Sequence, residues 1–478
     1  MKYILLIILL LGCNSQSVQA DDSPTPMTPT PEEPTSTIFE ANAALGRAVN
    51  LGNALEAPNE GDWGMVLEPH FFDLIQEAGF DSVRVPIYWS GHALETAPYT
   101  IDAAMLERVD WVLSQAERVG LNVMINVHHY NDLYDDPSAH TDRFLAIWQQ
   151  LASHYQDAPT SVYFEILNEP HAVFNDEPEL WNDLLAEAVA VVRESNPTRP
   201  LVVGPVGWNS WRRLDDLTLP DDPNLIVTVH YYDPFPFTHQ GATWVSPVPP
   251  VGETWSGTRA SYTWDNWSWD TTSTSTETGT MQVRYEQGWS GLYLHSDQVV
   301  TGYERLELTL SGDVQLNVVC GQDGLPDDAG VRVSNTGSQQ YSIPLADCGA
   351  ATGLTDLALI SDVPESQASY ELMRLELCNA TTCTPLLQSE QDAINAAFDS
   401  VSAWSTANNR PIFLGEFGAY NPADMPSRIR WTTAVREAAE ARNFSWSYWE
   451  FGAGFGIYNR DTNSWRDDLL NALIPAGN

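Results

Sequence analysis

Residues 163–174 read YFEILNEPHAVF, a run of apolar and aromatic residues that stops on Asn168-Glu169-Pro170. The run has the texture of a buried strand, and burying an unpaired carboxylate is costly. Glu169 therefore needs either a cation or a chemical task. Seven other stretches share the layout, a short apolar run closing on polar or aromatic residues: RAVNLGN, FDSVRVPIYW, LNVMINVHHY, PLVVGPVGW, NLIVTVHYYDP, RPIFLGEFGAY and FSWSYWEF. Between the first five strands lie amphipathic stretches of helical period, such as MLERVDWVLSQAERVG and LWNDLLAEAVAVVRESN. Alternating strands and helices imply an α/β fold with a parallel sheet, and eight units imply a closed (β/α)8 TIM barrel. A doubly wound open sheet is the alternative. It is disfavoured because no glycine-rich phosphate turn follows the first strand.

One connection is far longer than the rest. Between NLIVTVHYYDP and RPIFLGEFGAY the segments RLELTL, VQLNVV, GVRVSN and YELMRLEL alternate with period two, the signature of an antiparallel sandwich. The reading is a barrel over residues 38–244 and 387–478, with an all-β, jelly-roll-like sandwich over 245–386 inserted between the sixth and seventh strands. Cys320, Cys348, Cys378 and Cys383 all fall in the insertion. Three disulfide pairings are open; the most local, Cys320 with Cys348 and Cys378 with Cys383, is favoured.

The chain carries 22 Lys+Arg against 64 Asp+Glu, a formal net charge of -42. Such a surface repels phosphate backbones, so nucleic acid is not expected as a partner. Lys2 is the only lysine, which excludes Schiff-base chemistry and a phosphate-loop lysine. At the N-terminus, a basic residue and a short apolar run end on Leu11-Gly12-Cys13. This reads as an export signal over residues 1–13 with Cys13 as a lipidation site; an ordinary signal peptide with an incidental cysteine is the alternative. Residues 14–37, rich in Pro, Thr and Ser, read as a flexible tether. The expectation is an exported lipoprotein of a bacterial outer membrane or cell surface, monomeric, touching the membrane only through its anchor.

Glu169 ends the fourth strand and Glu416 the seventh, so both face the rim where barrel active sites sit. Two carboxylates flanking a cleft can serve as acid and nucleophile in glycosidic bond cleavage. Each alone could be a salt-bridged strand end, but the same rim also offers Arg84, His128, Asn168, His230, Tyr232 and Trp449. Adjacent His128 and His129 raise a metal site. Strand alternation would send them to opposite faces, so neither a metal nor a cofactor is expected.

Together NLGNALEAPNEGDWG, SVRVPIYWS, INVHHY, FEILNEPH, VHYYDPFPFTHQGATWV, PIFLGEFGAY and YWEFGAGFGIY resemble glycoside hydrolase family 5, nearest the branch of thermophilic endoglucanases that also accept mannans. The resemblance implies a retaining enzyme with Glu169 as general acid/base and Glu416 as nucleophile. It implies Asn168 on the sugar 2-hydroxyl, Arg84 and Tyr232 holding Glu416, His230 near Glu169, and His128 and Trp449 against the same sugar. His129, Asn53, Glu56, Trp244 and Phe455 are further binding candidates. The expected substrate is β-1,4-glucan or its oligosaccharides, with glucomannan or mannan as additions. A dedicated mannanase, an exo-glucosidase and a non-catalytic polysaccharide-binding lipoprotein are the alternatives. YEQGWSGLYLHS, 285–296, resembles strands of carbohydrate-binding modules, with Trp264, Trp267, Trp269 and Trp289 as either binding surface or core.

Overall fold

The computed structural model describes residues 37–269, 271–276, 280–350, 353–363 and 367–475. The leader, Cys13 and the tether to residue 36 lie outside the described residues. Eight parallel strands close on themselves: β1 (Arg47–Asn50), β2 (Ser82–Val85), β3 (Asn122–Asn126), β4 (Val162–Glu165), β5 (Leu201–Val203), β6 (Leu225–His230), β7 (Ile412–Phe417) and β8 (Ser445–Tyr448). Closure comes from β8 pairing with β1, Arg47 opposite Trp446. All eight match the stretches read from sequence, because each is an apolar run bounded by turn residues.

The outer helices form for ordinary reasons. The helix Ala103–Val119 starts on an Asp102 side chain that accepts from the Ala104 N–H, and stops at Gly120 in the left-handed region. Its buried stripe is Met105, Val109, Val112 and Ala116, the three- and four-residue spacing of one helix face. At the opposite end of the barrel from the rim, the helix Ile38–Leu45 carries a Thr37–Glu40 capping box and packs with Met124, Tyr163, Val202, Ile226 and Phe413. That apolar layer closes the barrel floor, leaving the strand C-termini for polar work.

β7 departs from regular pairing. Its register slips against β6 between Leu414 and Glu416, and against β8 between Leu414 and Phe417, as a bulge does when it re-aims a side chain. Glycine is needed there: a Cβ on Gly415 would lie 2.5 Å from Thr228 Oγ1, and one on Gly418 2.1 Å from the Trp449 carbonyl oxygen. The sequence LGEFG thus brings Glu416 close against its neighbours.

The insertion is a two-sheet antiparallel sandwich. One sheet is built around Arg305–Ser311 and Ala368–Cys378, the other around Val314–Gly321, Leu354–Ser361 and Gly291–Val300. The alternating residues Leu306, Leu308, Leu310, Leu316, Val318, Leu357, Leu359, Leu375 and Leu377 fill the space between them. Disulfides join Cys320 to Cys348 and Cys378 to Cys383, the favoured local pairing. Between residue 245 and the first strand of the insertion the chain still serves the barrel, since Trp255 is buried in the barrel's own cluster. The junction is a two-stranded ribbon, Ala260–Tyr262 against Leu387–Ser389. Among the described residues, no helix is long and apolar enough to cross a membrane.

Candidate active site

Arg84, on β2, is fully buried and its guanidinium is the hub of the rim. Its Nε and Nη2 donate to the two oxygens of Glu165 at 2.6 and 2.9 Å. Nη1 donates to Asn50 Oδ1 (2.8 Å) and Glu416 Oε1 (2.7 Å), and Nη2 to Asn168 Oδ1 (2.7 Å). A buried cation survives only with such full pairing. Burial alone would lower the Arg84 pKa; Glu165 and Glu416 outweigh it and raise it.

The second oxygen of Glu416 accepts from the Tyr232 hydroxyl at 2.9 Å. Burial raises the Glu416 carboxyl above its ordinary value, and the Arg84 guanidinium pulls it back only in part. Its hydrogen bonds from Arg84 and Tyr232 favour the charged form.

Glu169 sits differently. Four residues beyond the end of β4 the chain turns through Glu169 at φ +50°, a left-handed conformation disfavoured outside glycine. That turn aims the side chain into the cleft, with 24% of its surface open. Its Oε1 lies 2.7 Å from His230 Nδ1. Asn209 Nδ2 stands 3.2 Å from His230 Nε2, and donation to Nε2 puts the ring proton on Nδ1, facing Glu169. Burial lowers the His230 pKa to about 4, so the ring is neutral, and burial raises the Glu169 pKa to about 7. Glu169 therefore holds a proton up to neutrality without a cation bonded to it. Oxygens of Glu169 and Glu416 and a ring nitrogen of His230 all lie within 4.8 Å of one another.

That cluster could in principle ligate a metal. The Glu416 oxygens are already taken by Arg84 and Tyr232, and a buried guanidinium this close repels a dication.

Asn53, Glu56, His128, His129, Glu169, Tyr232, Trp244, Glu416, Trp449 and Phe455 line one cleft of about 730 Å³. Arg84 and Asn168 lie buried beneath it, and His230 borders the adjoining cavity. The Trp449 ring stacks parallel to His128, 5.8 Å between centroids at 3°, offering a fixed flat face. Glu56 is 2% exposed and accepts from the Asn53 and Ala54 N–H groups; burial raises its pKa to about 8. It braces the loop under the cleft floor.

One expectation is corrected. His128 and His129 both line the cleft, because β3 ends at Asn126 and strand alternation no longer applies to them. Burial lowers His129 to about 4, so the pair presents neutral hydrogen-bonding groups.

Several functional residues escaped the sequence reading. Glu165, Asn50 and Asn126 are the supports of Arg84 and Glu165. Tyr134 donates to the Asn168 carbonyl at 2.7 Å, holding the turn before Glu169. Trp63, His239, Tyr420 and Arg460 add to the cleft lining. A second cavity of about 580 Å³ shares Glu169, Tyr232, His239 and Trp244 with the first but is not lined by Glu416, and it carries Trp208. The Trp208 ring is 52% exposed and stacks on His171 at 5.0 Å.

The cellulase model (glycosyl hydrolase family 5) matches residues 46–290. The chain belongs to glycosyl hydrolase family 5. This family member is 28% identical over 446 residues to endoglucanase H of Acetivibrio thermocellus, covering 92% of this chain and 34% of that relative. It spans about a third of that protein's length. Among solved structures, endoglucanase Cel5A from the hyperthermophilic Thermotoga maritima is 35% identical with a TM-score of 0.63, covering 92% of this chain and all of that one. The same enzyme in complex with mannotriose is 35% identical, with a TM-score of 0.62 and coverage of 91% and 99%.

Proposed function

We propose that the protein is a retaining endo-acting β-1,4-glucanase. The observation that carries this reading is the carboxylate pair: Glu169 and Glu416 oxygens lie within 4.8 Å. Retaining glycosidases hold their carboxyls about 5–5.5 Å apart, and inverting ones about 6.5–9.5 Å to admit a water between.

In the first step, a Glu416 oxygen attacks the anomeric carbon while Glu169 gives its proton to the glycosidic oxygen, and the carbon–oxygen bond to the leaving chain breaks. As Glu416 loses its charge in the ester, Glu169 becomes the carboxylate. In the second step Glu169 takes a proton from water, the water oxygen attacks the same carbon, and Glu416 departs as carboxylate. Arg84 and Tyr232 stabilise Glu416 whenever it is charged. The cleft that contains Glu416, walled by Trp449 and His128, takes the sugar under attack. The cavity that shares Glu169 but is not lined by Glu416 takes the leaving chain, with Trp208 as a stacking face. Openings on both sides of the bond suit internal cleavage of a polymer.

A second substrate, mannan or glucomannan, is favoured by the mannotriose complex of the Thermotoga maritima structure. The protein is exported and anchored by lipid at Cys13; two disulfides suit an oxidising compartment, and Cys13→Ser should release the protein from the membrane fraction. The deciding experiment incubates the protein with carboxymethylcellulose, mixed-linkage glucan, glucomannan, mannan and xylan, then sizes the products. A ladder of mid-length oligosaccharides from β-1,4-glucans is expected. Release of monosaccharide alone would reject endo action, and attack on mannan alone would make it a mannanase.

A further inference from the structure

The outer face of one sandwich sheet is built as an aromatic platform. In the strand Gly291–Val300, Leu292 and Leu294 point into the sandwich core, so Gly291, Tyr293 and His295 point out. The chain just after the edge strand Asp265–Asn266 folds over this outer face. The Trp267 N–H donates to the Tyr293 carbonyl at 2.8 Å. Its indole stacks on the His295 ring at 3.7 Å and 14°, and meets Tyr293 edge-on at 6.1 Å. Trp269 lies over Gly291, where a Cβ would come within 1.8 Å of its Cζ3. Glycine at that position makes room for the ring.

The platform is fixed from below. Asp356, directly opposite His295 in the neighbouring strand, is 1% exposed. It accepts from the Tyr293 hydroxyl at 2.6 Å and from His295 Nδ1 at 2.8 Å, and its other oxygen accepts from the Gly324 N–H at 2.8 Å and the Thr355 hydroxyl at 2.5 Å. A buried acid therefore locks the two rings that carry Trp267. The indoles are not core: Trp267 is 51% exposed and Trp269 39%, while Trp264 alone of that cluster packs against the core. Holding two large apolar rings in water runs against the hydrophobic effect, which calls for an occupant.

We infer that Trp267, Trp269, Tyr293 and His295 form a second glycan-binding site, separate from the barrel cleft, for a neutral polysaccharide chain. Flat, rigid rings held from beneath suit the apolar faces of pyranose rings. The net charge of -42 and the Asp265 and Asp297 carboxylates at the platform's margin turn away polyanions. The site lies on a domain spliced between β6 and β7, both of which end on the rim that holds Glu416. Its choice of a β-glucan rests on the function proposed for the barrel.

The test uses the full chain with Glu416→Ala, so that bound polymer survives, with and without Trp267→Ala. Native gels containing hydroxyethylcellulose or glucomannan should retard the parent, and Trp267→Ala should weaken that retention at least about tenfold, as for a binding hot-spot tryptophan. Trp267→Tyr should keep part of it, and thermal melts should overlay. Equal retention with and without Trp267, or none in the parent, overturns the inference; so does a concentration-dependent dimer that Trp267→Ala abolishes, which would make the platform a self-association surface. With Glu416 intact, cleavage of soluble cello-oligosaccharides should be the same with and without Trp267→Ala. Failure of that cleavage in the wild type would reject the function of the barrel while leaving the retention assay to judge the platform.

Discussion

Each half of the molecule buries one acid in a sheet, and the two acids are used differently. Glu165 on β4 is fully buried and meets a complete cation, Arg84, through both oxygens. Asp356 in the sandwich is equally buried and collects four donors: a phenol, an imidazole, a threonine hydroxyl and a backbone N–H. In the barrel the buried pair carries a second carboxylate, Glu416, and so presents it to the cleft. In the sandwich the buried acid holds rings in place and faces no reacting group. One buried acid organises a cluster of charged groups at the cleft, the other a pair of aromatic rings at a surface.

The largest effect should follow from removing the charge that the barrel network presents. Glu416→Ala should lower turnover by at least about 10⁴-fold, because the nucleophile has no substitute, and azide should restore activity with an inverted product. Unchanged melting with lost turnover separates this from a folding defect. Next comes the support of that charge. Glu165→Gln breaks the two-oxygen grip on Arg84 and should cost about 10²-fold in kcat, the penalty for displacing a reacting group by a fraction of a bond length, with KM little changed. An equal loss spread over KM would place Glu165 in substrate binding instead.

The pH profile sharpens the contrast between the two rim glutamates. Glu169 works as an acid only when protonated, and its pKa is raised to about 7, so kcat/KM should fall as pH rises through about 7. Glu416 must be charged, so activity should also fall on the acid side. In Glu169→Gln, assayed on a substrate with a good leaving group, the alkaline fall should vanish. Its persistence would assign that limb to another group.

The smallest effect on catalysis should come from the sandwich. Cys320→Ala with Cys348→Ala opens a loop of 28 residues, worth about 3–4 kcal/mol of constraint on the unfolded chain. The sandwich should melt earlier while cleavage of short oligosaccharides stays within about twofold. A matching loss of cleavage would show that the sandwich holds the barrel site together.

The sequence made the barrel legible because its strands are apolar runs that end on rim residues, and both glutamates stood at such ends. Glu165 stayed hidden because it lies inside the run YFEIL, where a carboxylate was overlooked in favour of the one that ends it. The signal was available: a charge in a fully buried parallel strand requires a partner, and SVRV on β2 offered Arg84. Strand alternation alone would turn His129 away from the cleft, but β3 ends at Asn126 and His129 lines the cleft as the resemblance implies. His239 and Trp208 lie in connections with no periodicity, so only three dimensions bring them to the cleft. In the sandwich, period two located the strands, but the count of tryptophans alone could not separate Trp264, which packs inward, from Trp267, which stands out.

The claim at the centre is that two glutamates with oxygens within 4.8 Å act by double displacement. The direct measurement is proton NMR of the first product formed from a soluble β-linked oligosaccharide, recorded before mutarotation. The geometry predicts that the new reducing end appears as the β-anomer, with configuration retained. Appearance of the α-anomer first would contradict the assignment of Glu416 as nucleophile and of the pair as a retaining site.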